Sequence, residues 1–147
     1  MHNIETLNKF LKHELSATET YQQAMNKFRD DAGLGESESL LPIHEAHQKA
    51  VASIQALIQR LGGTPIENSG TWGTWAKIVQ GGANMMGTKA ALKALQSGEK
   101  SGAEDYEKAL EETELPSDIR SLIETMLLPA QQAHIVTLEE LLDVETV

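Results

Sequence analysis

Two near-copies of one octapeptide stand out in this sequence: LLPIHEAH, from Leu40 to His47, and LLPAQQAH, from Leu127 to His134. Each copy places a proline and then a histidine on a face where a packed helix usually carries leucine or isoleucine. Around both copies, apolar residues, histidines and, at one position, Gln131 recur at steps of three and four over residues 40–61 and 123–141, which is the period of a helix buried on one face. The chain therefore contains two similar helices, each with imidazole on its buried face.

The same period predicts two more helices. Leucine, tyrosine and methionine follow it from Leu7 to Met25, and leucine and tyrosine follow it from Leu92 to Leu110. Glycine-rich turns and the pair Pro116-Ser117 separate these elements, and no stretch alternates like a strand with comparable strength. We predict an all-α fold with helices over residues 3–30, 36–61, 87–113 and 117–143, and a connection over residues 64–87 that holds one short helix near Trp75–Gln80.

The lengths of the connections select a topology. Short turns join the first helix to the second and the third to the fourth, which indicates two antiparallel hairpins. The connection over residues 64–87 is long enough to run the length of the helices. We expect Trp72 and Trp75 to pin it to an apolar groove, or else to form a dimer contact. We predict one domain, residues 1–147, built as a four-helix bundle of two hairpins joined by a long crossover.

Internal similarity supports this arrangement. HELSATETYQQAM in the first helix aligns with GEKSGAEDYEKAL in the third, so that Glu14 falls on Glu99 and Tyr21 falls on Tyr106. The two octapeptides align the second helix with the fourth in the same way. A duplicated hairpin explains why the octapeptide occurs twice.

Composition narrows the class of protein. The 22 acidic residues outnumber the 12 lysines and arginines, and the formal charge of −10 disfavours nucleic acid as a partner. The absence of cysteine excludes disulfides, thiolate metal ligands and a cysteine nucleophile. The first residues are polar and no apolar run approaches the length of a membrane span. We therefore predict a cytoplasmic protein with no membrane partner.

Polar side chains with metal-binding atoms lie on the predicted buried faces. A buried carboxylate without a partner costs several kcal/mol, so two of them need a cation or hydrogen-bond donors. Mixed carboxylate and imidazole ligands suit zinc, iron, manganese, nickel or copper. Hydrogen bonds from histidine and tyrosine to the glutamates would fill the same core without a metal. The candidate metal ligands are Glu14, His44, His47, Glu99, Gln131 and His134.

Other histidines and two prolines carry separate expectations. His2 and His13 lie off the apolar faces, and we expect both to be solvated. Pro42 and Pro129 lie inside predicted helices and each removes one backbone donor. We expect a kink or a widened turn just before the histidines that follow them.

This combination resembles the ferritin-like family. Four helices with a long second connection, a glutamate on the first and third and a histidine on the second and fourth are similar to its pattern. ELSATETY, with Glu14 and Tyr21, resembles the first helix of bacterioferritin and rubrerythrin, and GEKSGAEDYEKAL, with Glu99 and Tyr106, resembles the third. The chain is most similar to short bacterial members of unassigned function.

The resemblance implies a metal-binding function. It implies a divalent ion in the core, iron first and zinc or manganese as alternatives, with Tyr21 and Tyr106 beside the ligands. It also implies a homodimer and a link to iron or oxidative stress, with oxidation of metal or handling of peroxide as the chemistry if the protein is an enzyme.

One departure from the family's pattern leaves alternatives open. Where the family has Glu-x-x-His, this chain has His44-Glu45-Ala46-His47 and Gln131-Gln132-Ala133-His134, so both bridging carboxylates are replaced. Glu45 cannot substitute, because one residue turns it about 100° around the helix. A mononuclear site, an unequal pair of ions leaning toward His44, and a metal-free core are all compatible with these residues. The alternative function is a non-enzymatic structural or stress-associated bundle with a degenerate core site.

Overall fold

The computed structural model describes residues 2–30, 34–68, 75 and 88–145, and these residues form four helices and no strand. The predicted all-α class is confirmed. Of the short helix predicted at Trp75–Gln80, only Trp75 belongs to the described residues. The helices are His2–Asp30, Leu34–Arg60, Thr88–Leu110 and a fourth made of three consecutive segments, Ser117–Leu122, Ile123–Leu127 and Leu128–Glu145.

The first and second helices pack against each other in opposite directions. Asn8, near the start of the first, reaches the residues that follow the second: its Nδ2 donates to the Thr64 carbonyl at 3.3 Å, and its Oδ1 accepts from the Ile66 amide at 3.0 Å. The chain leaves the second helix at Gly62, whose φ of 85° is a conformation that glycine adopts at little cost. These contacts close the first hairpin at the end far from its short turn.

The third and fourth helices form a second antiparallel pair. The Gln96 side chain on the third donates to the Ile135 carbonyl at 3.3 Å and to Glu139 Oε2 at 2.6 Å on the fourth. At the turn, the Arg120 guanidinium donates to the carbonyls of Leu110 and Glu112 at 3.0 and 2.7 Å. Arg120 thus satisfies acceptors that the end of the third helix leaves without intrahelical partners.

The hairpins meet along the first and third helices, which also run in opposite directions. Tyr21, late in the first helix, contacts Glu99, whereas Glu14, earlier in the first helix, contacts Tyr106 further along the third. Because the first helix is antiparallel to both the second and the third, those two run in the same direction.

Two apolar clusters fill the bundle, one toward each end. The first cluster is Leu7, Phe10, Leu11, Ala50, Ile54, Leu57, Ile58, Tyr106, Leu115, Ile119, Ile123 and Leu127. The second is Ala17, Tyr21, Met25, Leu40, Ile43, Trp75, Leu92, Leu95, Leu138 and Leu142. On each helix, the residues between the two clusters include a buried glutamate or histidine, so the polar side chains form a layer at the middle of the bundle.

A widened turn precedes the histidine of the fourth helix. Residues Ile123–Leu127 form a π-helical turn, in which the Leu128 amide donates to the Ile123 carbonyl, and Pro129 follows directly. An extra residue in one turn rotates the side chains that come after it around the helix axis. The expected widening therefore precedes one octapeptide only, LLPAQQAH, because the second helix is uninterrupted α-helix through Pro42.

Candidate metal centre

Four buried titratable side chains, one from each helix, meet at the centre of the polar layer: Glu14 from the first, His47 from the second, Glu99 from the third and His134 from the fourth. Their exposed fractions are 1%, 1%, 0% and 7%. The two apolar clusters exclude water above and below this layer. We call these four residues the central cluster.

His47 lies between the two carboxylates of the central cluster. Its Nδ1 is 2.5 Å from Glu14 Oε1, and its Nε2 is 2.7 Å from Glu99 Oε2. Both ring nitrogens thus face an acceptor, which an imidazole satisfies only when both carry a proton. Without a metal, His47 is the cation that balances the buried carboxylates.

His134 approaches the other oxygen of Glu99. Its Nδ1 lies 3.2 Å from Glu99 Oε1, and the His47 and His134 rings are 4.9 Å apart between centroids. His47, Glu99 and His134 each offer one nitrogen or oxygen atom that could bind a metal, and these three atoms all lie within 4.8 Å of one another. These three side chains could hold a metal ion with two nitrogen donors and one oxygen donor.

The tyrosines form reciprocal hydrogen bonds across the interface between hairpins. The Tyr21 hydroxyl on the first helix donates to Glu99 Oε2 on the third at 2.6 Å, and the Tyr106 hydroxyl on the third donates to Glu14 Oε2 on the first. Each carboxylate is therefore held by a tyrosine of the opposite hairpin. Such bonds to a charged acceptor are stronger than neutral ones, so they fix the orientation of both potential ligands.

Protonation follows from these contacts. Burial opposes a charge on His47, but Glu99 and Glu14 outweigh it and raise the pKa of His47 to about 10. Burial would also raise the pKa of both glutamates, yet the neighbouring His47 cation lowers each of them, that of Glu99 to about 2 with help from His134. Burial and the adjacent carboxylates raise the pKa values of Tyr21 and Tyr106 well above the ordinary value of tyrosine. Both hydroxyls therefore stay protonated and donate.

The remaining predicted ligands lie at the edge of the central cluster. Gln131 is buried, but its Nε2 donates to the backbone carbonyl of Glu99 at 3.2 Å rather than to a cluster side chain. His44 is also buried, and within the described residues no hydrogen bond joins it to the cluster. Glu45 is exposed, as its position on the helix predicts.

The expectation that His13 is solvated is wrong. His13 is only 7% exposed, the Trp75 indole N–H donates to its Nδ1 at 3.1 Å, and the Gln131 amide lies 3.3 Å from its Nε2. The first helix is buried on two sides, toward the second helix and toward the third, whereas the apolar pattern marks only one of them. The residue in the sequence that agrees with a buried His13 is Gly102 on the third helix, because a Cβ at that position would overlap with the His13 ring.

Trp75 is buried against the polar layer. Its exposed fraction is 1%, and its ring lies 5.8 Å from that of Tyr21 and 6.1 Å from that of His47. The third helix leaves room for the indole at Gly98, where a Cβ would lie 2.7 Å from the ring. The expected groove thus has a histidine and a tyrosine in its wall, and Trp72 lies outside the described residues.

The contribution of the His47–Glu99 pair to the stability of the metal-free protein is expected to be complete between about pH 4.5 and pH 6.5. Because folding raises the pKa of His47 from 6.5 to about 10, His47 contributes its full stabilisation below pH 6.5 and loses it as pH rises toward 10. Because folding lowers the pKa of Glu99 from 4.5 to about 2, Glu99 contributes its full stabilisation above pH 4.5 and loses it as pH falls toward 2. Urea unfolding in the presence of a chelator measures this profile. His47→Gln should abolish the decline on the alkaline side, and an unchanged decline in that variant would contradict the assignment.

The fold and the site define a helical bundle with a buried carboxylate–imidazole cluster at its centre. The chain belongs to the family described as a domain of unknown function, DUF2383, whose profile matches residues 2–112. The match includes Glu14, His47 and Glu99 but ends before the fourth helix, which carries His134. No curated protein and no solved structure matches the chain. Within the described residues, every helix is too short or too polar to cross a lipid bilayer.

Proposed function

We propose that the protein is a ferritin-like metal-binding protein that holds one divalent ion at His47, Glu99 and His134, with Glu14 beside them. The observation that carries the proposal is the convergence of these donors, one from each helix, in a layer shielded from water. Ionised Glu14 and Glu99 together carry two negative charges, which a divalent cation neutralises. His47 as an imidazolium neutralises only one, so replacing its proton with the ion improves the charge balance of the core.

The direction of the helices supports the ferritin-like arrangement. The common direction of the second and third helices supports a connection between Arg60 and Thr88 that returns along the bundle. A return of that kind is the long crossover of a ferritin-like fold, in a single domain of residues 1–147.

The donor set supports one ion rather than a bridged pair. A di-iron bundle uses a bridging carboxylate from each Glu-x-x-His motif, and His44 and Gln131 stand at those positions here. Two imidazoles and a carboxylate suit iron, zinc or manganese, and iron is our first choice from the resemblance of the sequence. Bound iron would supply redox chemistry, and we include a link to oxidative stress in the proposal for that reason. We also propose that the protein is a homodimer. Tyr21 and Tyr106 orient the two carboxylates whichever ion is bound.

A second function has its own supporting observation. All carboxylate oxygens of the central cluster already have hydrogen-bond partners. Among the described residues, the only buried side-chain polar atom without a partner is Ser16 Oγ. A core satisfied in this way is stable without metal, which fits a structural bundle that retains a degenerate site.

Metal content separates the two functions. Untagged protein is reconstituted with iron(II), manganese(II) or zinc(II), dialysed and analysed for metal. We expect about one ion per chain in the parent. Glu99→Gln, and His47→Ala combined with His134→Ala, should each weaken binding by more than about 100-fold, because even residues that only orient ligands contribute about 10–100-fold.

Glu45→Gln is the matched control for Glu99→Gln. It makes the same chemical change at an exposed position two residues from His47 and should leave the metal content at the parental value. No bound metal in the parent with any of the three ions would reject the metal-binding function and leave the structural one.

A further inference from the structure

A groove of about 360 Å³ runs between the first and third helices on the outside of the bundle. Lys9 lies on one wall, and Asp105 and Ala109 lie on the other. At its inner end are the rings of His13 and Tyr106. The groove therefore reaches from solvent to the two side chains that separate it from the central cluster.

The barrier at this inner end is one side chain thick. The Tyr106 hydroxyl donates directly to Glu14, a member of the central cluster. The Gln131 amide lies 3.3 Å from His13 Nε2 and also donates to the backbone carbonyl of Glu99. A solute that reaches Tyr106 is therefore one hydrogen-bonded side chain away from the Glu14 carboxylate.

The other half of the same helix interface is closed. There Trp75 packs against the third helix at Gly98, and its ring contacts those of Tyr21 and His47. One indole therefore fills the space that continues the groove on the far side of His13. Among the residues that the structure describes, no such indole fills the half that ends at His13, and the groove lies there.

His13 and Tyr106 are held to different degrees. Tyr106 donates a charge-assisted hydrogen bond to a buried carboxylate, whereas the hydrogen bonds of His13 join it to neutral groups, the Trp75 indole and the Gln131 amide. Neutral hydrogen bonds are about half as strong as those with one charged partner. The side chain that swings aside at lower cost is therefore His13.

We infer that this groove is the path by which a divalent metal ion reaches the central cluster, and that the His13 side chain is the gate at its inner end. The inference rests on the proposed metal-binding function. His13 acts by obstructing passage and is not a ligand of the bound ion. A gate of this kind controls how fast the ion enters and leaves and does not change how tightly it is held.

Rates of cobalt(II) binding test the path. Cobalt takes the same nitrogen and oxygen donors as zinc and iron, and Trp75 is close enough to His47 for tryptophan emission to follow its arrival in a stopped-flow instrument. Ala109→Phe fills the groove. It should slow both association and dissociation by about tenfold while the dissociation constant stays the same, because access and not the bound state has changed.

Ala24→Phe is the matched control. Ala24 is the counterpart of Ala109 in the duplicated hairpin, is half-buried like it, and packs in the half that Trp75 fills. We expect parental rates from this variant. Equal slowing by both variants would overturn the inference, because it would show that the groove is not the path.

His13→Ala tests the gate in the opposite direction and does not depend on Ala109→Phe folding well. Association and dissociation should both accelerate by about tenfold, with the parental amount of cobalt bound at equilibrium. Parental rates in His13→Ala and in folded Ala109→Phe, with normal cobalt content, would reject the path and leave the proposed function intact. No cobalt, iron, manganese or zinc bound by the parent would reject both.

Discussion

Replacing His47 by leucine is expected to destabilise the metal-free protein by about 3–5 kcal/mol, because it leaves two buried carboxylates without their cation. Both ring nitrogens of His47 contact a carboxylate, and neither Glu14 nor Glu99 is exposed to water. Hydrogen bonds from tyrosine to each glutamate remain, but they do not neutralise charge. Urea unfolding at neutral pH with a chelator present measures the loss.

His44→Leu is the matched control for this variant. His44 lies one turn earlier on the same helix, is 7% exposed, and within the described residues has no hydrogen bond to the central cluster. We expect its effect to stay within about 1 kcal/mol.

A triple variant separates the cost of charge from the cost of shape. Combining His47→Leu with Glu14→Gln and Glu99→Gln removes the uncompensated charges and should recover part of the stability lost in His47→Leu. Equal losses in His47→Leu and His44→Leu would contradict the role of His47 as the cation of the core.

Replacing Trp75 by alanine is the second large change, with an expected destabilisation of about 3–5 kcal/mol. The indole is almost completely buried, lies against Tyr21 and His47, and fills the space that Gly98 leaves on the third helix. Removing it opens a cavity beside a polar layer and leaves His13 without its indole donor. Thermal and urea unfolding measure the effect.

Trp75→Phe distinguishes packing from hydrogen bonding. It keeps an aromatic ring against Tyr21 but has no N–H for His13. It should therefore lower the free energy of unfolding by less than Trp75→Ala does, because most of the buried ring volume remains. A Trp75→Ala variant as stable as the parent would mean that this residue does not belong to the core.

The position of the central cluster between two apolar clusters explains why the bundle tolerates buried charge. Leu11 and Ile54 lie in the apolar cluster on one side of the layer, and Leu40 and Leu138 lie in the other. Burial of these side chains stabilises the fold by about 1.5–3 kcal/mol for each one fully removed from water. The polar layer costs free energy unless it is paired, and pairing requires that all four helices stay in one register. The cluster therefore selects one alignment of the helices as well as forming a site.

The sequence predicted much of this protein because its strongest signals are periodic. Apolar spacing located the helices, and the repeated octapeptide and the Glu14–Glu99 alignment brought four of the six candidate ligands to one level of the bundle. Periodicity reports which face of a helix is buried. It does not report how deep a side chain lies or which neighbour it meets, so it does not distinguish His44 and Gln131, at the edge of the central cluster, from the four residues that form it.

The order of residues along each helix is enough to predict the all-α class, the location of the helices and the presence of glutamate and histidine on their buried faces. Packing between helices is needed to establish that His47 bridges Glu14 and Glu99, that each tyrosine donates to the glutamate of the opposite hairpin, and that His13 is buried beneath Trp75. Those contacts join residues far apart in the chain. They depend on how closely two helices approach, and here glycines on the third helix set that distance through the absence of a side chain.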